Sequence, residues 1–433
     1  MSVIREAIGE GIFFNMVPSD SFKSRELTVN FIVPLARDTA ALDALLPAVL
    51  LRGTRTYPNL SAIQRRLASL YDAHLSGHTG KRGEAQVITF SASVLNADCI
   101  PDGTDAFGEL LKVFEEALFE PVTENGCFIA DYVESEKRNL TDAIRAKINN
   151  KNAYAVSRCF EEMCAGEKYG VPDTGRIEDV EGITPEALYH RYLTVLKTAA
   201  VEIFYVGNGR PEQIVPRLRE MFRGRPRGAV VSSPTEVIRT PMADVRIVTE
   251  EQPVRQGKLT LGFRTGSVLS DGDYFIFSLF SELYGGSPSS KLFMNVREKL
   301  SLCYYCRCIS EAQKGLMLVA SGIEVDKKDE TIREILAQLE AIRRGEISQE
   351  EMDAAKKSLV NGYRELRDSA SALGNWYLNR LLSGISTTPE ETADQVMSVT
   401  KEQVVDAARR LKLDTIYFLK GTLTEAQPSV RDA

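Results

Sequence analysis

The chain carries one pattern twice, and that repetition constrains its fold more than any other feature. Leu27-Thr28-Val29-Asn30-Phe31-Ile32-Val33 is a β-rich run followed by a loop and an apolar helical stretch, 41–51. Leu259-Thr260-Leu261-Gly262-Phe263-Arg264 is a second such run, followed by a helical stretch at 273–284. Each stretch then meets glycine, at Gly53 and at Gly285-Gly286. The far ends match too. Thr184-Pro185 opens a helix, with a hydroxyl cap and proline at the first helical position, and leads to Val201–Val206 and Gly207. Thr400 opens a helix in the same way and leads to Thr415–Lys420 and Gly421. Similar spacing from the first marker to the last implies two copies of one unit.

The expected boundaries are 1–225 and 240–424, with a linker at 226–239 and a polar tail at 425–433. The stretch from Arg223 to Pro234 is rich in Gly, Pro, Arg and Ser, the composition of a linker. Within each half, helical patterns follow a run of strands: 131–147 in the first, 329–343 and 348–368 in the second. Ser348 with Glu351 three residues on reads as a capping box. Strands collected around paired helices indicate an α+β fold rather than alternating α/β.

A chain of 433 residues with 43% apolar and 26% charged residues has material for two cores and a polar exterior. No run of about 18 uncharged apolar residues is present, so no membrane span is expected. The N-terminus lacks the basic flank and apolar core of a secretory signal, and the seven cysteines are odd in number and scattered. A cytoplasmic location is therefore expected. A net charge of −7 disfavours nucleic acid as a partner.

The run Ala44-Leu45-Leu46-Pro47-Ala48-Val49-Leu50-Leu51-Arg52-Gly53-Thr54-Arg55-Thr56-Tyr57-Pro58 resembles, in its tail, the segment that follows the zinc motif of the M16 peptidases. That family includes insulinase, pitrilysin and the mitochondrial processing peptidases. The resemblance covers nearly the whole chain and implies a clam-like pair of α+β units. Family members carry His-x-x-Glu-His, two zinc ligands and a general base, just before that tail. The matching positions here are Ala44, Pro47 and Ala48. The family's third ligand is a glutamate seven residues after an earlier acidic residue. Glu136 matches the earlier residue, and the ligand position falls on Ala143. Asp142 is adjacent but turned about 100° away on a helix. All four zinc-site positions therefore lack the needed side chain, and no metal, cofactor or hydrolysis by the isolated chain is expected.

Other residues do not replace that site. His74 and His78 lie in a strand-like run, where residues four apart are about 13 Å from each other, too far to share one ion; His190 stands alone. Cys303, Cys306 and Cys308 also read as strand residues, with Cys303 and Cys306 on opposite faces. Gly285-Gly286 reads as a tight turn requiring positive φ.

The second half keeps a family signature. Leu292-Phe293-Met294-Asn295-Val296-Arg297-Glu298-Lys299-Leu300-Ser301-Leu302-Cys303-Tyr304 resembles Leu-Phe-x-x-Val-Arg-Glu-Lys-x-Gly-Leu-x-Tyr, with Ser301 in place of glycine. The resemblance implies that Arg297 and Tyr304 bind the substrate backbone and support an oxyanion. It implies a heterodimer in which an active subunit bearing His-x-x-Glu-His supplies zinc and this chain supplies the Arg/Tyr pair, the two enclosing an extended peptide. The stretches Glu136–Leu140 and Asn149–Ala155 look similar to inactive bacterial members associated with modification of elongation factor P. Two other readings are a scaffold or peptide-binding module without hydrolysis, and a metallopeptidase with a non-standard site.

Overall fold

The computed structural model describes residues 3–232, 234–240 and 244–422. The tail 425–433 expected to be polar and the first two residues lie outside them. No helix among the described residues is long and apolar enough to cross a membrane.

The repeat becomes two sheets with the same strand order. The first runs Ile4–Gly9, Ile12–Pro18, Ala200–Gly207, Ser24–Pro34, Ala85–Leu95, His74–Arg82. The second, read from its opposite end, runs Arg246–Gln252, Lys412–Gly421, Gly257–Arg264, Leu316–Ile323, Cys303–Glu311. In both, a late strand inserts beside an early one and runs parallel to it: Ala200–Gly207 beside Ile12–Pro18, and Lys412–Gly421 beside Arg246–Gln252. The remaining pairs are antiparallel. The expected caps form. Thr184 and Thr400 accept from the third helical N–H, and Ser348 and Glu351 bond each other's backbone N–H.

The compact units are not contiguous in sequence. One comprises Met1–Ala146, Val171–Thr235 and Leu366–Thr388; the other comprises Lys147–Gly170, Glu236–Glu365 and Pro389–Ala433. The reason is that the central strands are apolar on both faces. Leu316–Ile323 is buried at every residue. The helices local to each sheet cover one face, and a helix from the other half of the sequence covers the second. Helix Lys151–Met163 lays Ala155, Cys159 and Met163 on Leu316, Leu318, Tyr417 and Leu419. Helix Ala370–Leu382 lays Leu373, Tyr377 and Leu378 on Val17, Ile32, Val87, Phe204 and Val206. Residues of the expected linker are tied to the first unit. Arg227 donates to the carbonyls of Leu196 and Ala199 at 2.6 Å, and Thr235 Oγ1 accepts from the Glu84 N–H at 3.0 Å.

A buried ion cluster holds the end of the crossing segment 147–170 in the second unit. Glu167 accepts from Arg264 at 2.5 Å and from Lys314 at 2.7 Å, and Arg264 also reaches Asp414 at 3.1 Å. Lys314 is fully buried and the Arg264 side chain is 4% exposed. Burial alone would raise the Glu167 carboxyl, but hydrogen bonds from Arg264 and Lys314 outweigh it and hold the group below its ordinary value. Removing this charge takes from Lys314 and Arg264, both buried, the carboxylate they share. Glu167→Gln is expected to cost about 3–5 kcal/mol, read as a lower urea midpoint at pH 7. Because the folded-state value is depressed, the ionised group's stabilisation is present above its ordinary value and is lost as pH falls through the folded value. The gap between wild type and variant should therefore narrow in acid; an equal gap at pH 7 and pH 3 would refute the ionic account.

Candidate functional site

The helix Arg37–Leu50 carries the positions to which the sequence resemblance assigns the zinc motif. Ala44 is half-buried, Pro47 buried and Ala48 exposed, while Ala143 is exposed on helix Ala130–Ala146. A methyl group offers no lone pair to a metal, and a proline ring accepts no proton from water. His74 and His78 sit on the strand His74–Arg82 and His190 on helix Pro185–Thr198, all exposed. No cluster of three or more metal-ligating side chains occurs among the described residues.

Proline in the general-base position has a local cost that the fold offsets. Pro47 lies inside the helix and lacks the N–H that would bond the carbonyl of Asp43. That carbonyl instead accepts from the Thr79 hydroxyl at 3.0 Å. Thr79 comes from the edge strand His74–Arg82, and Gly77 on the same strand faces the proline ring. A Cβ at Gly77 would lie 2.8 Å from Pro47 Cβ. The Asp43 side chain is fully buried and takes a bidentate grip from Arg191, both contacts at 2.7 Å. Burial still pushes its carboxyl up, with Arg191 opposing.

The surviving acidic residue of the family pattern is engaged. Glu136 pairs with Arg52 Nε and accepts from Asn139 at 3.0 Å, and Arg52 also donates to Ser135 at 2.7 Å. Arg52 belongs to the Arg-Gly-Thr tail that follows the vacated motif. Asp142 is exposed, 3.9 Å from Arg145. Sequence reading did not identify Thr79 or Arg52. A proline inside a helical pattern signals an orphaned carbonyl, but not which distant hydroxyl will fill it. Thr79→Val should destabilise by about 1–3 kcal/mol, the cost of an unpaired buried carbonyl. In a Pro47→Ala background, where the N–H returns, the same change should cost markedly less; a double-mutant cycle in urea gives the coupling, and additivity would refute this pairing.

In the second unit, Arg297 lies near the end of the helical segment Leu292–Lys299 and Tyr304 near the start of strand Cys303–Glu311. The helix end is wide: the Leu300 N–H bonds the Asn295 carbonyl at 3.1 Å, five residues back. Ser301 then turns the chain with φ of +51°, the left-handed region that glycine occupies without steric cost. The Arg297 guanidinium rests 4.5 Å from the Phe293 ring centre and 3.6 Å from Glu298, with its side chain 40% exposed; Tyr304 is 54% exposed. The turn thus sets both polar groups outward on one short loop.

Two sequence expectations for this region are corrected. Cys303 and Cys306 do not point to opposite faces. A β-bulge at Tyr304 breaks the ladder, with Cys303 opposite Ile323 and Tyr305 opposite Gly322. The extra residue shifts the alternation by one and turns both cysteines inward, where both are buried. Nor does Gly285-Gly286 need positive φ. Gly285 has φ of −158°, and neither glycine is left-handed. Close packing explains Gly285: a Cβ there would come within 2.7 Å of Cys308 Sγ and 2.9 Å of Leu292. Ser301→Gly should relieve about 1 kcal/mol of left-handed strain and raise the melting temperature by roughly 2–4 °C; no change would mean the serine makes a compensating contact.

Comparison with known proteins agrees with this geometry. The family described as "Peptidase M16 inactive domain" matches residues 182–359. The "Probable inactive metalloprotease YmfF" of Bacillus subtilis strain 168 is 33% identical over 416 residues, covering 95% of this chain and 96% of that protein. The "Uncharacterized zinc protease YmfH" of the same organism is 24% identical over 298 residues, covering 66% of this chain and 68% of that protein. A crystal structure of a conserved protein from Enterococcus faecalis V583 superposes with a TM-score of 0.90 at 28% identity, covering 98% of this chain and 100% of that one. This chain therefore belongs to the M16 peptidase family, as a non-catalytic member.

Proposed function

We propose that this chain is the non-catalytic, peptide-binding subunit of a heterodimeric M16-type zinc peptidase, with Arg297 and Tyr304 contributed to a partner's active site. One observation carries the reading. A chain without a zinc site keeps the Arg/Tyr signature and holds both side chains outward on a strained turn. Burial does not explain an arginine and a tyrosine exposed to this degree. A forked cation and a phenolic hydroxyl are the donors that a peptide carbonyl, or the oxyanion derived from it, accepts from.

The first sheet supplies a second support. His74–Arg82 is its edge strand, and its outer side pairs with no other strand among the described residues. An extended peptide can add to such an edge through backbone hydrogen bonds. The third support is comparative: Bacillus subtilis has both a relative named as probably inactive and a relative named as a zinc protease. An inactive and a zinc-bearing relative in one organism is compatible with a division of labour of this kind.

The test is reconstitution with an M16 protein from the same genome that carries His-x-x-Glu-His. The mixture should cleave peptides that neither chain cleaves alone. Arg297→Ala should lower kcat/KM of the mixture by about 10²-fold or more, the scale of losing an oxyanion donor. Normal cleavage by a mixture containing that variant would leave the signature a structural role and favour a scaffold without hydrolysis.

A further inference from the structure

We infer that the open face of strand Arg246–Gln252, in the second sheet, is a docking surface for an acidic amphipathic helix of a partner protein. The internal repeat matches the two sheets residue by residue. Leu27 lies opposite Tyr205, and its counterpart Leu259 lies opposite Phe418. Tyr205 is paired in turn with Met16, and Phe418 with Thr249. Counting back along each early strand sets Ile247 at the place of Phe14 and Val245 at the place of Ile12. Phe14 is fully buried and Ile12 is 2% exposed, whereas Ile247 is 64% and Val245 40% exposed. Val248 packs toward helix Lys151–Met163, so Ile247 points to the opposite face of the sheet.

The first unit closes the corresponding place with its own chain. Strand Ile4–Gly9 lies outside Ile12–Pro18, and helix Pro211–Phe222, which follows the late strand, packs on it. That helix is amphipathic. Ile214, Val215, Leu218 and Met221 enter the core that holds Ile12 and Phe14, while Arg217 and Arg219 stay outside, paired with Asp105 and Glu6. Among the described residues the second unit has neither element, and Arg246–Gln252 is the edge of its sheet. Residues 423–433 do not repeat the apolar ridge of Pro211–Phe222, since Leu423 and Val430 are their only large aliphatic side chains.

The rim fixes the charge of the occupant. In the first unit Asp105 caps helix Ala106–Phe119 and takes Arg217 at 2.8 Å. The matching helix, Lys328–Arg343, begins after Lys327 instead. Lys328 Nζ lies 5.4 Å from the Phe418 ring centre, where the first unit sets Phe107 5.8 Å from Tyr205. Lys328 has no carboxylate partner among the described residues. Glu251, the acid on this face, is already paired with Lys420 at 2.7 Å. A helix with a carboxylate where Pro211–Phe222 has Arg217 therefore meets an unpaired cation, and an arginine there meets a like charge. Its aliphatic ridge covers Ile247 and Val245.

This face does not depend on Arg297 and Tyr304 serving a partner's active site. The probe is a fluorescein-labelled peptide with the sequence of Pro211–Phe222 carrying Arg217→Glu and Arg219→Glu. Titrated with the full-length protein at low salt and read by fluorescence anisotropy, it should bind about tenfold or more tighter than the unaltered peptide. Ile247→Asp, at a position exposed enough to leave the fold intact, should weaken that binding about tenfold or more. Lys328→Glu should reverse the order of the two peptides. Hydroxyl radicals should label Ile247 readily in the free chain, and the bound peptide should shield it. Absent binding, equal binding by Ile247→Asp, or an order of peptides unchanged by Lys328→Glu would overturn the proposal. So would Ile247 shielded in the free monomer, which means the chain's own residues cover the face. A dimer seen by light scattering and dissociated by Ile247→Asp would overturn it too, because a second copy would then be the occupant.

Discussion

Strands that are apolar on both faces need cover on both sides, and this requirement organises the molecule. Each sheet obtains its second layer from a helix encoded in the opposite half of the sequence. The hydrophobic gain is non-directional and would not by itself determine where the crossing segment ends. Ion pairing supplies that specificity. Glu167, four residues beyond the last core position of helix Lys151–Met163, meets two buried cations, Arg264 and Lys314. Neither half of the chain covers both faces of its own sheet, so the sequence repeat does not coincide with the compact units.

The helix Arg37–Leu50 is held by contacts from distant segments. Pro47 packs on Gly77, and Thr79 satisfies the carbonyl that the proline orphans. Glu136 is engaged by Arg52, which also donates to Ser135. The helix remains continuous and firmly held through Asp43 and Arg191. The scaffold is thus maintained without its chemistry. The second unit, in contrast, keeps Arg297 and Tyr304 exposed on a turn whose left-handed serine carries a steric cost.

Much of this was legible because it depends on local rules. Apolar alternation marks strands, hydroxyl caps mark helix starts, and the absence of ligating atoms at Ala44, Pro47, Ala48 and Ala143 needs no coordinates. The misreadings share one cause. Cys303 and Cys306 were assigned by strict alternation, which a single bulged residue reverses. Gly285 was assigned to a turn, when the constraint is the sulfur of Cys308 packed against it. In both cases the deciding neighbour is remote in sequence.

The sequence by itself determined the duplication, the α+β composition, and the membership of the family as a non-catalytic chain. These follow from residue identity and short-range periodicity. Only the tertiary structure decided which helix covers which sheet, which hydroxyl satisfies Asp43, and which way the cysteines face. Those outcomes are set by register and by close packing between distant segments. No local pattern encodes them, because a hydrogen bond or a van der Waals contact depends on ångström-scale placement that arises only when the chain has folded.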